Sequence, residues 1–364
     1  MKMLGHAGVL LIAAVTLLGC KDTKPAEQPK AVEEKPAAAA GPSSEIDKAV
    51  LAAFGPLPPA FENPQNTLSD AKLNLGRMLY FDTRLSKNHD ISCNSCHGLD
   101  TYGVDSKKTS EGHRKQLGSR NSPTTYNAAA HLAQFWDGRA KDVEEQAGGP
   151  MMNPVEMAMP AEAKVVEVLT SIPEYVKLFK EVYPAEKQPV TLKNAAAAIG
   201  AFERKLITPS RWDKFLAGDT AAITDEEKKG FNTFVATGCT QCHNGPAVGG
   251  GMYMKLGLVK PWPNQKDLGR FEVTKAEGDK MVFKVPSLRN IEKTGPYFHD
   301  GSVATLDEAV RNMAEYQLGK KIDDTQGKLI GSWLKTLTGE LPAAYITRPV
   351  LPPNGPKTPK PDPT

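Results

Sequence analysis

The apolar residues of this chain recur mainly at the spacing of an α-helix. In the clearest stretch, Leu192, Ile199 and Phe202 fall on one face of a 3.6-residue period. Patterns of this kind cover residues 69–80, 161–171, 174–182, 190–206 and 329–337. The spacing therefore predicts a mainly α-helical protein.

Start signals mark the beginning of several of these helices. Ser69 is suited to cap the helix over residues 69–80. Thr224 and Glu227 have the spacing of a capping box, and Thr305 and Glu308 repeat it before LDEAVRNMAEYQ. Helices are therefore expected to begin after Thr224 and after Thr305.

The N-terminus is typical of an export signal. Residues 1–20 contain an apolar run that is too short to span a bilayer and that ends in LLGC. This ending resembles a bacterial lipobox, in which Cys20 becomes lipidated. The alternative is ordinary cleavage nearby with a soluble product. In either case we expect a periplasmic protein, anchored to the membrane by lipid in the first case.

Two further segments have little to bury. Residues 21–44 are rich in Pro, Ala, Lys and Glu and predict a disordered tether. The proline-rich tail over residues 341–364 is expected to run along the surface. The net charge of +3, without a long basic run, gives no reason to expect a nucleic-acid partner.

All five cysteines have an assigned place. Two lie in CNSCHG at 93–98, two in CTQCHN at 239–244, and one is Cys20. No cysteine is left for a disulfide, so the paired thiols serve another chemistry.

The CxxCH pattern is the attachment signature of c-type haem. Two intervening residues let one helical turn present both thiols to the haem vinyl groups, and the next residue is placed to bind the iron. A zinc or thioredoxin-type site is the alternative, but the histidine in both copies and the export signal favour haem. The predicted attachment residues are Cys93, Cys96 and His97 in one copy and Cys239, Cys242 and His243 in the other.

The wide separation of the two motifs indicates one haem per domain. A break near residues 208–210, TPS, predicts an N-terminal domain over 45–207 and a C-terminal domain over 208–340. A helix before CxxCH, loops over the haem and a late helix are typical of the cytochrome c fold. The predicted fold class is thus mainly α, with two cytochrome c-type haem domains in one chain and the GPAVGGG loop beside the second haem.

The chain resembles the bacterial dihaem cytochrome c peroxidases. The resemblance rests on LGRMLYFDTRLS (75–86), ISCNSCHG (91–98), GSRNSPTTYN (118–127), FWDGRA (135–140), NPVEM (153–157), GCTQCH (238–243), VPSLRNI (285–291) and TGPYFHDGS (294–302). It implies an enzyme that reduces hydrogen peroxide to water. The haem of the first motif would be peroxidatic. The haem of the second would have a high potential and receive electrons from a small cytochrome c or a cupredoxin.

The resemblance implies a methionine as sixth ligand of the second haem. Met313 is the candidate, because a His/Met ligand pair raises the potential of a haem. The residues alone leave Met313 open as a core methionine. Rivals are Met252, Met254 and Met281 and, more remotely, the tyrosine Tyr316.

For the first haem the resemblance implies a histidine that ligates the resting iron and leaves when the other haem is reduced. His113, in the polar segment EGHRKQLG, is the candidate. His89 and His131 compete with it. Whether this chain uses such a lock stays open at this point.

The same resemblance assigns three residues to catalysis. Glu156 would move a proton between the peroxide oxygens, with a pKa raised by burial. Gln146 would be a second polar group of that pocket. Trp136 would lie between the haems, although core packing is its ordinary role.

One calcium ion is also implied. Asn121, Thr294 and Pro296 would supply an amide oxygen and two backbone carbonyls, which are hard donors that suit Ca²⁺. The ion would link the two haem domains. The resemblance leaves open whether the chain forms a homodimer, as members of the family often do.

Two other functions remain as alternatives. One is an enzyme of the same scaffold that oxidises a protein substrate through a tyrosine-ligated second haem, against which Met313 argues. The other is a dihaem electron carrier without enzymatic activity, in which both irons would be permanently six-coordinate.

Overall fold

The computed structural model describes residues 42–364. The predicted signal peptide, Cys20 and the tether up to residue 41 lie outside the described residues. Within residues 42–364, no helix combines the length and the apolar character needed to cross a membrane.

The described chain is mainly helical, as predicted. Its α-helices are α1 Lys48–Leu51, α2 Asp70–Phe81, α3 Cys93–Cys96, α4 Val143–Met152, α5 Glu162–Thr170, α6 Pro173–Val182, α7 Leu192–Glu203, α8 Arg211–Leu216, α9 Asp225–Thr237, α10 Phe271–Thr274, α11 Leu306–Asn312, α12 Asp324–Lys335 and α13 Ala343–Ile346. Short 3₁₀ helices are Thr83–Leu85, Leu99–Thr101, His113–Lys115, Ala128–Ala130, Cys239–Gln241, Glu277–Asp279 and Ile291–Lys293, and a π-helical segment is Met313–Gln317. Strands β1 Tyr253–Lys255 and β2 Val282–Lys284 pair antiparallel, with Tyr253 opposite Lys284.

The helix starts agree closely with the capping signals. Ser69 accepts a hydrogen bond from the backbone N–H of the third residue along. The reciprocal capping box of Thr224 and Glu227 is complete. Thr305 accepts from the N–H of Glu308, but the side chain of Glu308 does not return the bond, so the second predicted box is only half formed.

The first hydrophobic cluster lies between α2 and α4–α7. Leu75, Leu79, Ile199 and Phe202 are fully buried there. Gly76 permits the close approach of α2 to α7, because a Cβ at this position would lie 1.9 Å from the carbonyl oxygen of Ala198. The tight α2–α7 pair forms the frame behind the first CxxCH motif.

A second cluster lies between α8, α9 and α12. The rings of Trp212 and Trp333 meet edge-on at 5.4 Å, and Phe234 lies 4.5 Å from Trp333. Phe54, which follows α1, packs into this cluster. A smaller third cluster, which includes Phe283, lies beside it. The N-terminal described residues thus contribute to the core that backs the second motif.

The tail over residues 341–364 lies against the first cluster. Tyr345 stacks on Phe202 with ring centroids 5.0 Å apart, and its hydroxyl donates to the Phe202 carbonyl. Arg84 donates to the carbonyl of Pro352, and Lys87 lies 3.6 Å from Asp362. The tail therefore covers part of the first hydrophobic cluster.

A buried ion pair connects α8 with the loop that follows β2. Arg289 is 1% exposed and makes two hydrogen bonds to the carboxylate of Asp213, at 2.6 and 3.0 Å. It also donates to the carbonyl of Pro246. Burial alone would raise the pKa of Asp213, but Arg289 holds that pKa below its usual value.

Replacing Arg289 by Ala is expected to lower the free energy of unfolding by about 3–5 kcal/mol, because Asp213 would remain as a buried charge without its partner. The urea midpoint measures this. Arg211→Ala is the matched control, since Arg211 pairs with Glu227 at a partly exposed site and its loss should cost about 1 kcal/mol or less. Equal losses in the two variants would contradict the assigned importance of Arg289.

Candidate haem and catalytic sites

The first motif forms one short helical turn, α3, that ends at His97. The hydroxyl of Tyr80, in α2, donates to the His97 carbonyl at 2.8 Å and ties the motif to the core. Burial lowers the pKa of the His97 ring, and nearby backbone carbonyls of Gly103 and Pro123 act in the opposite direction. His97 is therefore kept neutral, which is the form that binds a metal. Its Nδ1 atom is buried and makes no hydrogen bond with any residue of the described range 42–364.

The second motif follows α9, and His243 lies 6.4 Å from the ring of Phe234. Burial lowers the pKa of His243 to about 4. Its Nδ1 lies 3.4 Å from the carbonyl oxygen of Val248. The glycine-rich loop packs against this ring as expected, because a Cβ on Gly249 would come within 3.2 Å of Nδ1 and within 2.2 Å of the Pro286 carbonyl.

One cavity joins the second motif to Met313. Cys239, Cys242, His243 and Met313 all line it. Met313 begins the π-helical segment that continues α11. Such segments recur at functional sites, where they redirect a side chain from the helical register. The cavity therefore brings together two thiols, an imidazole and a thioether.

The rivals of Met313 differ in position. Met254 also lines the cavity, whereas Met252 and Met281 are not among its lining residues. Tyr316 packs against Trp262 with ring centroids 5.2 Å apart and does not line the cavity. Met254 is thus the remaining rival within the described part of the chain.

Glu156 and His113 lie on neighbouring loops close to the first motif. The backbone N–H of His113 donates to the Glu156 carbonyl at 2.7 Å. Glu156 is half-buried, and Asn153 donates to its Oε1 at 2.9 Å. Burial raises the pKa of Glu156, while Arg139 and Asn153 act against the rise.

The charge of Glu156 affects the pKa of the Cys96 thiol in the first motif. Burial raises the pKa of this thiol to about 11, and the negative charges of Asp105 and Glu156 add to the rise. The carboxylate of Glu156 therefore lies within electrostatic range of Cys96, and Glu156 is not among the residues that line the cavity of the second motif.

The three candidate histidines for the first iron have different surroundings. His113 is 5% exposed, and its Nε2 lies 3.1 Å from the Thr364 carbonyl oxygen in the tail. His89 is half-buried. His131 lines the cavity of the second motif, and its Nδ1 lies 3.0 Å from Nζ of Lys284. His131 is therefore engaged at the other site.

Two further predicted catalytic residues differ in how well they are placed. Trp136 lines the cavity, donates from Nε1 to the Asn121 carbonyl at 2.9 Å and meets the ring of His299 at 6.4 Å. Gln146 is half-buried on α4, and within residues 42–364 no hydrogen bond joins it to Glu156.

The three predicted calcium ligands also line the cavity of the second motif. Asn121 donates from Nδ2 to the Lys107 carbonyl, so its amide nitrogen is engaged within the protein. Thr294 precedes a cis peptide bond between Gly295 and Pro296. No group of three His, Cys, Asp or Glu side chains that could hold a metal occurs in the described residues. A calcium site here would consist of neutral oxygen donors.

Lys284 and His299 line the same cavity. Neither was predicted from the sequence as a site residue. Lys284 is 6% exposed in β2. His299 stacks on Phe283, and both of its ring nitrogens are buried without a hydrogen-bond partner among the described residues. The signal for Lys284 was a charge inside the apolar run MVFKVP. For His299 it was the HDG sequence within the family-like stretch TGPYFHDGS.

The residues at both motifs fit covalently bound haem. Among the described residues, the four motif cysteines form no disulfide and are available for thioether bonds. Both histidines are half-buried, and burial lowers the pKa of each ring, while the second motif opens on a largely apolar cavity with a thioether in its wall. This donor set is that of a c-type cytochrome with two haem sites.

Comparisons with known proteins agree with this class. A model of the di-haem cytochrome c peroxidase family matches residues 70–221. The chain is 47% identical to cytochrome c551 peroxidase of Nitrosomonas europaea over 86% of its own length and 92% of that protein. It is 44% identical to cytochrome c551 peroxidase of Pseudomonas aeruginosa, over 85% and 90%.

Among solved structures, the chain is similar to a MauG-like protein associated with microbial copper homeostasis. The TM-score is 0.71 at 27% identity, over 80% of this chain and 97% of that one. The chain belongs to the di-haem cytochrome c peroxidase family. It is a peroxidase, and two haem c groups are its cofactors.

Replacing Met313 by Leu is expected to lower the midpoint potential of the haem at Cys239 and Cys242. The shift should be on the order of tenths of a volt, because axial ligands set haem potentials over about 0.8 V. A spectroelectrochemical titration measures it. Met254→Leu is the matched control, since Met254 lines the same cavity. A large shift in the control and none in Met313→Leu would make Met254 the ligand.

Proposed function

We propose that the chain reduces hydrogen peroxide to two waters, using two protons and two electrons from a small redox protein. The site at Cys93, Cys96 and His97 would be peroxidatic, and the site at Cys239, Cys242 and His243 would receive the electrons. The observation that carries this assignment is the position of Glu156, a half-buried carboxylate beside the first motif. Haem iron at the two sites would supply peroxide binding and electron storage.

Glu156 is proposed to move the proton that peroxide cleavage requires. Burial raises the pKa of its carboxyl, which makes the carboxylate a better proton acceptor than an exposed one. The amide of Asn153 holds Oε1 and so orients the group. Gln146 is proposed as the second polar group of this pocket.

His113 is proposed as the sixth ligand of the resting peroxidatic iron. Its Nε2 contacts the Thr364 carbonyl in the described structure, so ligation requires the ring to leave that oxygen. The segment that would move is short and carries left-handed backbone at Arg114 and Lys115. The backbone N–H of His113 donates a hydrogen bond to the Glu156 carbonyl, so movement of His113 would also affect the loop that carries Glu156.

Met313 is proposed as the ligand that keeps the potential of the electron-accepting site high. Trp136 is proposed to carry electrons between the sites. Its indole is fixed by Asn121 and its own carbonyl accepts from the N–H of Lys284. These contacts are consistent with two haem domains over 45–207 and 208–340 that meet at this cavity.

The electron donor is proposed to be a small cytochrome c or a cupredoxin in the periplasm. Charged groups near the entry site would govern its association rate more than its affinity. Lipidation of Cys20 would keep the enzyme at the membrane, and assembly as a homodimer is proposed from the family resemblance.

Neither alternative function is favoured by a contact in the described residues. An enzyme that oxidises proteins through a tyrosine ligand would need Tyr316 at the second iron, whereas its ring packs on Trp262. A pure electron carrier would give no role to the half-buried Glu156.

Glu156→Gln is expected to retain the absorption spectra of both haems and to lower peroxide turnover about 100-fold or more, because general acid–base catalysis contributes that much. Steady-state oxidation of a reduced small cytochrome by hydrogen peroxide measures this. Glu162→Gln, at an exposed carboxylate of α5, is the control and should leave turnover unchanged. Unaltered turnover in Glu156→Gln would remove the proposed role, and no turnover by the unaltered chain would refute the proposed reaction.

Calcium is proposed to bind at Asn121, Thr294 and Pro296. Asn121→Ala should weaken Ca²⁺ binding about tenfold or more, a loss of the size seen when a supporting metal-site group is removed. Asn121→Asp keeps an oxygen donor, adds charge and should retain binding. Calorimetric titration of the chelator-treated holoenzyme measures both. Asn88→Ala is the control, and equal affinity in all four proteins would exclude Asn121 as a ligand.

A further inference from the structure

Lys284 is a buried cation whose surroundings lack a negative charge. It is 6% exposed and lies in β2. The residue before it in the strand, Phe283, belongs to the third cluster. Among the described residues its Nζ contacts one titratable group, the Nδ1 of His131 at 3.0 Å. No carboxylate of the described residues forms an ion pair with it. An amino group in this position is costly to bury unless an anion reaches it.

His131, the partner of Lys284, also has a buried polar atom without a hydrogen-bond partner among the described residues. Because Lys284 can only donate, Nδ1 of His131 is the acceptor and the ring proton lies on Nε2. That Nε2 is buried without a hydrogen-bond partner in the described part of the chain. Both side chains line the cavity of the second motif. Among the described residues, Lys284 at the wall of this cavity therefore has one acceptor, Nδ1 of His131, and no anion.

The group that enters this cavity has acceptors of the required kind. A haem c attached at Cys239 and Cys242 carries two propionate carboxylates, which are the only charged groups on its periphery. We propose that Lys284, held in place by Nδ1 of His131, binds a propionate of this haem as its ion-pair partner. The inference rests on haem occupying the cavity and does not depend on which site reduces peroxide.

This site would join the cofactor to the residue proposed to conduct electrons. The backbone N–H of Lys284 donates to the Trp136 carbonyl at 2.8 Å, and His131 lies five residues before that tryptophan. The pair brings together residues from the two halves of the chain. Lys284 is therefore a positioning residue that neutralises one propionate and holds the haem next to Trp136.

Lys284→Met keeps the length of the side chain and removes its charge. Loss of a nearby cation destabilises the reduced, more negative haem, so its potential should fall. We expect about a tenfold decrease in the equilibrium constant for one-electron reduction, which is about 59 mV. An unpaired propionate in an apolar cavity also gains a proton more readily. The potential should therefore become newly dependent on pH between about pH 5 and pH 8.

Two other variants separate this role from a structural one. Lys284→Arg keeps the charge and should restore both the potential and its weak pH dependence. Lys255→Met removes an exposed lysine at the same cavity and should change the equilibrium constant about twofold or less, because exposed charges are screened. Redox titrations of the intact holoenzymes at several pH values measure all three.

Equal potentials in Lys284→Met and the unaltered holoenzyme at every pH would overturn the proposal. So would a shift no larger than that of Lys255→Met, or one confined to the haem at Cys93. If Lys284→Met does not retain haem, a crystal structure of the unaltered holoenzyme decides. A propionate oxygen within about 4 Å of Nζ supports the site, and its absence refutes it.

Discussion

Partial burial of two neutral imidazoles next to paired thiols is the constraint that the rest of this structure serves. An exposed histidine would be protonated for part of the time near neutral pH and would be a poorer ligand. Each motif packs against a separate hydrophobic cluster, through Cys93 in one case and Cys239 in the other. The α2–α7 pair supports His97 through Tyr80, and Phe234 of α9 lies beside His243. The helices exist in this arrangement because short CxxCH turns cannot bury anything by themselves.

Residues from both halves of the chain line the cavity of the second motif. Asn121, His131 and Trp136 reach it from one side, and Lys284 and Pro296 reach it from the other. The wall of this cavity therefore contains residues from both halves of the chain, so a group that fills it lies against both.

Local signals in the sequence were enough for most helices and for both attachment motifs. Capping at Ser69 and Thr224 depends on neighbouring residues and was correctly predicted. The helix over 190–206 was predicted too long, since α7 ends at Glu203. Strands β1 and β2 are only three residues each, which is too short for a recognisable alternation.

Contacts between distant residues were harder to foresee. The methionine rivals could be separated only by the cavity wall, which includes Met313 and Met254 and leaves out Met281. The pairing of Lys284 with His131 spans 153 positions and has no local signature. The position of Glu156 near Cys96 likewise depends on tertiary packing, although its motif had suggested it.

The covering of the first cluster by the tail has a consequence for the order of folding. Tyr345, whose ring closes the surface over Phe202, comes far later in the chain than residues 75–206. Without the tail, this part of the first core would be open to water. Packing of the N-terminal half is therefore complete only when the end of the chain has docked on it, so the two halves do not fold as fully independent units.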